Sequence, residues 1–179
     1  AGAPHVDFLS PDIYQPNFQD WCRAYTQRGN PLFIPEMRRT EEGARQVFYA
    51  MGEHDAMGVS PFAIDSIEVS EENPLLRSYT VLRQIAPLIL EHQGGQSMIG
   101  FLLDADRPSI TRELGGYELE IALDQGFGQA AEHGGGLIIA LGPDEFLGAG
   151  FGFRVRFKGL PPGPALAGIA ASDEGHFLD

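Results

Sequence analysis

Apolar positions in the first 66 residues follow a helical period in two segments and form short continuous runs in three others. Residues 17–28 and 41–52 carry apolar side chains at i, i+3, i+4 and i+7, so each segment is predicted to form an amphipathic helix. Apolar runs near 6–10, 31–35 and 58–63 predict strands. The resulting order, β-α-β-α-β, predicts parallel strands joined by right-handed crossovers.

The pattern changes in the second half of the chain. Residues 75–92 keep the helical spacing, which predicts one long helix that Pro87 kinks or restarts. Further on, 117–124 and 151–159 alternate apolar and polar side chains, as antiparallel strands with one solvated face do. The later part is therefore predicted to be a β-sandwich or partial barrel that packs on the first part through the long helix and carries no catalytic group.

These patterns divide the chain into three predicted parts. They are an α/β unit at 1–70, a connecting helix at 71–95, and an antiparallel β-domain at 96–179.

Composition and charge narrow the functional classes. The chain is 43% hydrophobic and 21% charged, which is typical of a protein with a substantial core. Its net charge of -13 disfavours nucleic acid and anionic membranes as partners. A single cysteine excludes an internal disulfide, and the five histidines lack metal-ligand spacing. No metal or cofactor is predicted.

One acidic residue occupies an unusual position. Glu36 follows the apolar run in "NPLFIPEMRR" (30–39), so it ends a predicted parallel strand, and Arg38 and Arg39 come directly after it. Glu36 is either an exposed acid that begins a loop, paired with Arg38, or a catalytic carboxylate. The carboxyl ends of parallel strands hold the catalytic residues of βα-barrels, and a carboxylate near cationic or hydrogen-bonding groups stays ionised at neutral pH. The spacing leaves both interpretations open.

The segments "SPDIYQPNFQDWCRAYTQRGNPLFIPEMRR" and "GEHDAMGVSPFAIDS" resemble the last three βα units of a clan A glycoside hydrolase barrel. More narrowly, the chain resembles the bacterial β-galactosidase-like proteins of family thirty-five, whose barrel is followed by a β-rich C-terminal domain. The resemblance implies the end of a TIM (β/α)8 barrel followed by an antiparallel β-sandwich.

The resemblance also implies roles for individual residues. Glu36 would end the seventh barrel strand as the nucleophile of a retaining β-galactosidase, and Tyr14 would end the sixth strand and hydrogen-bond to it. Phe62 and Asp65 would line the sugar pocket from the eighth strand. Arg38 would keep Glu36 ionised or bind a substrate hydroxyl. The expected partner is a β-galactoside or related carbohydrate, with a homo-oligomer as a further possibility and a periplasmic or secreted location favoured.

The chain departs from the family pattern in one important respect. Clan A barrels place an acid/base glutamate after an asparagine at the end of the fourth strand, and no "NE" pair occurs here. The chain is therefore interpreted as a piece of a longer enzyme, inactive alone. Two alternatives stay open: a non-catalytic β-sandwich module that binds carbohydrate or acts as a scaffold, with an inert barrel remnant, and an unrelated α/β domain whose Glu36 is structural.

Overall fold

A computed structural model of the chain describes residues 5–70, 72–126, 130–163 and 167–173. The end of the predicted β-domain, residues 174–179, lies outside these ranges. The helices and strands, in chain order, are β1 (Asp12–Ile13), α1 (Phe18–Tyr25), β2 (Phe33–Met37), α2 (Glu41–His54), β3 (Gly58–Pro61), α3 (Pro74–His92), β4 (Met98–Leu103), β5 (Ser109–Leu114), β6 (Tyr117–Leu123), β7 (Gly134–Gly142), β8 (Glu145–Phe151) and β9 (Phe153–Gly159).

The first part of the chain forms a small parallel sheet with the order β1-β2-β3. Both strand pairs are parallel, as the alternation of strands and helices predicts. Leu32 and Ile34 are fully buried and belong to one hydrophobic cluster with Val47 and Phe48 of α2. Within the described residues the three strands form an open sheet, not a closed barrel.

The first strand does not lie where the sequence predicts it. Residues 6–10 form no strand, and β1 is the two-residue stretch Asp12–Ile13. The apolar side chains of Val6 and Leu9 are exposed. Instead of joining a ladder, Leu9 is held by the side chain of Asn30, which accepts from its backbone N–H at 2.8 Å and donates to its carbonyl at 3.0 Å. The N–H and the carbonyl of Leu9 thus bind an amide side chain in place of a neighbouring strand.

The second half contains two antiparallel sheets, with the orders β4-β7-β8 and β5-β6-β9. All of their strand pairs are antiparallel, as the alternating sequence pattern predicts. Phe101 and Ile138 of the first sheet cluster with Leu119 and Ile121 of the second. The two sheets therefore pack against each other through their apolar faces.

Helix α2 joins the two halves. Gly52 of α2 lies so close to β4 and β7 that an added Cβ would stand 2.6 Å from the Leu137 Cβ and 2.8 Å from the Ile99 carbonyl oxygen. Gly100 of β4 approaches the α2 backbone equally closely, since its added Cβ would be 2.6 Å from the Tyr49 carbonyl oxygen. The prediction that the β-domain packs on the first part through the 75–92 helix is therefore wrong: the main contact is made by α2.

Helix α3 packs mainly on α2 rather than on the β-sheets. Its N-terminus is capped by Asn73, whose side chain accepts from the N–H groups of Leu75 and Leu76. It continues through Pro87 to His92 without restarting. Among the described helices, none has both the length and the apolar character that crossing a membrane requires.

The close contact of α2 with the β-sheet predicts the effect of Gly52→Ala. In an open helix this change stabilises a protein by roughly 1 kcal/mol. Here the added methyl meets a strand backbone, and overpacking of a rigid contact costs about 1–3 kcal/mol or more. We expect a lower free energy of unfolding in urea.

The matched control is Gly148→Ala, where an added Cβ meets nothing within 4 Å. We expect this change to shift the unfolding free energy by less than about 1 kcal/mol. Equal stability of the Gly52→Ala and Gly148→Ala proteins would contradict the tight α2–β4 contact.

Candidate active site

The hydroxyl of Tyr14 and the carboxylate of Glu36 meet at the carboxyl ends of β1 and β2. Tyr14 follows β1 directly, and Glu36 lies one residue before the end of β2. The Tyr14 hydroxyl donates to Glu36 Oε2 at 2.9 Å. Both residues are half-buried. The hydrogen bond that the sequence predicts is therefore confirmed, whereas the catalytic roles of the two residues stay a prediction.

The pairing of the strands decides which way these side chains point. Ile13 and Met37 are partners across the β1–β2 ladder, and both are buried on the side covered by the helices. Asp12 and Glu36, the residues before them, are also partners. Side chains alternate along β1, so Asp12 and Tyr14 lie on the face opposite Ile13. The register of β2 is irregular between Ile34 and Met37, and it is the hydrogen bond to Tyr14 that places Glu36 on this same face. Asp12 was not identified from the sequence, although its position two residues before Tyr14 places it on the same face.

The electrostatic setting of Tyr14 favours its neutral form. Partial burial is the largest cause that raises the pKa of the Tyr14 hydroxyl. The hydrogen bond to Glu36 and the negative charges of Glu36 and Asp12 raise it further, and the positive charge of Arg38 opposes them. Tyr14 thus keeps its proton and acts as a hydrogen-bond donor to the carboxylate.

The two arginines after Glu36 bind backbone carbonyls of the neighbouring loops. Arg38 Nε donates to the carbonyl oxygen of Tyr14 at 3.0 Å, and Arg39 Nη1 donates to that of Ala63 at 2.8 Å. Among the described residues no ion pair within 4.0 Å joins Arg38 to Glu36. Arg38 therefore fixes the chain at Tyr14 instead of pairing with Glu36 as one sequence interpretation had it.

Phe62 and Asp65 lie on the loop after β3. The backbone N–H of Phe62 donates to the Met37 carbonyl at 2.9 Å, which brings Phe62 next to the end of β2. Phe62 is 57% exposed and so is free to contact a ligand. Asp65 is exposed in the short helical turn Ile64–Ser66. No hydrogen bond among the described residues links Asp65 to Tyr14 or Glu36.

A separate cleft of about 310 Å³ lies between α1, α2 and the β4–β5 turn, and neither Tyr14 nor Glu36 lines it. Asp104 is one of the acids there, and its carboxylate accepts from the backbone N–H groups of Asp106 at 3.0 Å and Arg107 at 2.8 Å. The Asp104 carboxylate therefore stabilises the turn between β4 and β5.

Among the described residues no group of three or more His, Cys, Asp and Glu side chains is arranged to hold a metal ion. The Tyr14 hydroxyl holds one oxygen of the Glu36 carboxylate, so the chemistry that this pair can provide is that of an oriented carboxylate.

The contact between Tyr14 and Glu36 predicts a change in titration. Glu36→Gln removes a negative charge and a carboxylate acceptor that disfavour the phenolate, so we expect the pKa of Tyr14 to fall. Burial still acts, so the pKa of Tyr14 is expected to stay above its ordinary value. The measurement is a Cζ-labelled tyrosine NMR titration, with the Tyr14 signal assigned by Tyr14→Phe.

Glu91→Gln is the control for this titration. It removes the same charge as Glu36→Gln, but Glu91 is exposed at the far end of α3. An equal Tyr14 titration in the wild type and in Glu36→Gln would show that the two side chains do not interact in solution.

Comparison with known proteins gives the family of the later part of the chain. The family model described as "Domain of unknown function (DUF5597)" matches residues 75–179. The chain matches none of the curated proteins. The matched segment begins in α3, includes all six strands of the antiparallel sheets and covers more than half of the chain. The chain therefore belongs to the DUF5597 family.

Proposed function

We propose that this chain is part of a retaining glycoside hydrolase of the β-galactosidase type, with Glu36 as its nucleophile. The observation that carries the proposal is the 2.9 Å hydrogen bond from the Tyr14 hydroxyl to Glu36 Oε2 at the carboxyl ends of two adjacent parallel strands. That edge holds the catalytic groups of βα-barrels. The preference for galactosides comes from the sequence resemblance.

In this mechanism Glu36 attacks the anomeric carbon of the bound sugar. The bond from that carbon to the leaving-group oxygen breaks, and the oxygen takes a proton from a carboxylic acid that lies outside these 179 residues, in another part of the complete enzyme. Water then attacks the anomeric carbon of the glycosyl ester, the bond from that carbon to Glu36 breaks, and the water gives a proton to the acid/base residue, which the first step left as a carboxylate. Tyr14 fixes one carboxylate oxygen, which leaves the other oxygen directed at the sugar.

Several features of the α/β unit support its membership of a larger barrel. Among the described residues, β1 and β3 pair only with β2, so each has an unpaired edge. Trp21, on the predicted apolar stripe of α1, is 38% exposed. Additional βα units would pair with these edges and cover the Trp21 ring. The acid/base residue would lie on one of these units.

The alternative, a carbohydrate-binding module, is less well supported. Such a module is expected to present a flat aromatic platform to the sugar. In the described part of residues 96–179 no aromatic side chain is strongly exposed. The rings pack against each other instead, with centroid distances of 4.8 Å for Phe101–Phe153 and 5.6 Å for Tyr117–Phe146. The aromatic residues of this part therefore serve its core.

The decisive variant is Glu36→Gln in the complete enzyme. The change keeps the shape of the side chain and removes the attacking anion, so we expect turnover of an aryl galactoside to fall by roughly 10³-fold or more. The unfolding transition should be nearly unchanged. Glu91→Gln, a change of the same kind at an exposed position, should keep full turnover.

Chemical rescue and labelling identify the role of Glu36. Azide added to Glu36→Gly should restore part of the turnover and give a glycosyl azide of inverted configuration, because the small anion enters where the carboxylate stood. A fluorosugar inactivator should label Glu36 in the wild type. Near-normal turnover of Glu36→Gln, or a label on another residue, would rule out the nucleophile assignment.

Tyr14→Phe tests the residue that orients the nucleophile. A hydrogen bond to a charged group contributes about 1.5–3 kcal/mol, so its loss is expected to lower kcat by roughly 10–100-fold. Glu36 should still be labelled by the fluorosugar, only more slowly. Unchanged turnover of Tyr14→Phe would show that the hydrogen bond has no role in catalysis.

A further inference from the structure

Asp12 is the third polar side chain on the face that carries Tyr14 and Glu36. Asp12 and Glu36 are directly paired across the parallel β1–β2 ladder. Adjacent strands are about 4.8 Å apart, so the two carboxylates leave the sheet side by side. The next pair, Ile13 and Met37, is buried on the helix-covered face, which fixes the opposite orientation for Asp12.

The Asp12 carboxylate is available for a ligand. Asp12 is exposed, and among the described residues no hydrogen bond or ion pair engages its side chain. Its charge is close enough to contribute to the raised pKa of the Tyr14 hydroxyl. A carboxylate whose backbone is held by a strand ladder, and whose oxygens are free, is a preorganised acceptor for hydroxyl groups.

We propose that Asp12 is a substrate-binding residue that accepts a hydrogen bond from a ring hydroxyl of the sugar placed against Glu36. The proposal rests on the proposed glycosidase function and names a determinant of that same site. The substrate class is a neutral pyranoside, because a sugar that carries its own carboxylate would be repelled by the two adjacent acids. Hydrogen bonds to ring hydroxyls near the reacting carbon strengthen in the transition state, so Asp12 should act on kcat/KM.

The geometry argues against Asp12 as the missing acid/base. In a retaining enzyme the nucleophile and the acid/base flank the scissile bond from opposite sides. Asp12 and Glu36 project in the same direction from neighbouring strands, so both approach the same side of the sugar. Asp12 can contact a hydroxyl beside the anomeric carbon, whereas protonation of the leaving group requires a residue across the site.

The experiment combines Asp12→Asn in the complete enzyme with a series of monodeoxy aryl galactosides. Asp12→Asn should lower kcat/KM for the parent galactoside by roughly 10–100-fold, the loss of one charge-assisted hydrogen bond. For one deoxy substrate, kcat/KM of the wild type should fall by a similar factor relative to the parent galactoside. In the Asp12→Asn enzyme the same deoxy substrate should lower kcat/KM little further. This coupling to a single hydroxyl would not arise from a purely structural role.

Asp7→Asn is the control, because Asp7 is also exposed but lies five residues before Asp12, outside the β1–β2 ladder. It should leave kcat/KM unchanged for every substrate. Circular dichroism and thermal unfolding of both variants establish that the comparison is between folded enzymes.

Three results would overturn the role of Asp12. They are an unchanged kcat/KM of Asp12→Asn, equal losses in both enzymes for every deoxy substrate, and a loss that grows with the basicity of the leaving group, which would make Asp12 an acid/base. A complete chain that hydrolyses no glycoside and is not labelled at Glu36 would overturn the proposed function together with this role. An active, labelled wild type with any of the three results would overturn the role alone.

Discussion

The fold depends on one helix that is packed on both sides. Helix α2 covers the parallel sheet and also lies against β4 and β7 of the first antiparallel sheet. A helix that is covered on both sides needs apolar side chains on several faces and a small residue where a neighbour approaches closely. Ala44, Val47 and Phe48 provide the apolar surface, and Gly52 provides the point of close approach. Gly52 and Gly100 allow the helix and strand backbones to approach where any other residue would hold them apart.

The same helix also supports the candidate site. Its first turn rests on the chain just after Glu36, where an added Cβ at Gly43 would stand 2.3 Å from the Arg38 carbonyl oxygen. Thr40 caps this turn by accepting from the Gly43 N–H at 3.3 Å. The position of Glu36 is therefore set by the strand before it and by a tightly packed helix end after it, which is the rigidity that an oriented carboxylate requires.

The sequence predicts elements with a strong period and fails where side chains take over the role of the backbone. The helices α2 and α3 lie within two residues of their predicted bounds because their apolar stripes repeat over several turns. The prediction of a strand at 6–10 is wrong because the Asn30 side chain binds the backbone of Leu9. Strand β7 was not predicted, since its first three residues are glycines and leave no alternation to detect. The contact between Gly52 and Gly100 is absent from any local pattern, because it joins positions far apart in the chain. At the site, the Tyr14–Glu36 contact followed from a family resemblance, while Asp12 follows only from the strand register.

The bounds of the sequence family and those of the hydrophobic core around α2 do not coincide. The DUF5597 match begins at residue 75, yet Met98, Leu137 and Ile139 of the matched segment are buried against a helix that ends at His54. A polypeptide that started at residue 75 would present this apolar surface to water and to other copies of itself. The segment that the family model matches is thus smaller than the segment that shares one hydrophobic core, and helix α2 covers an apolar face of the matched segment.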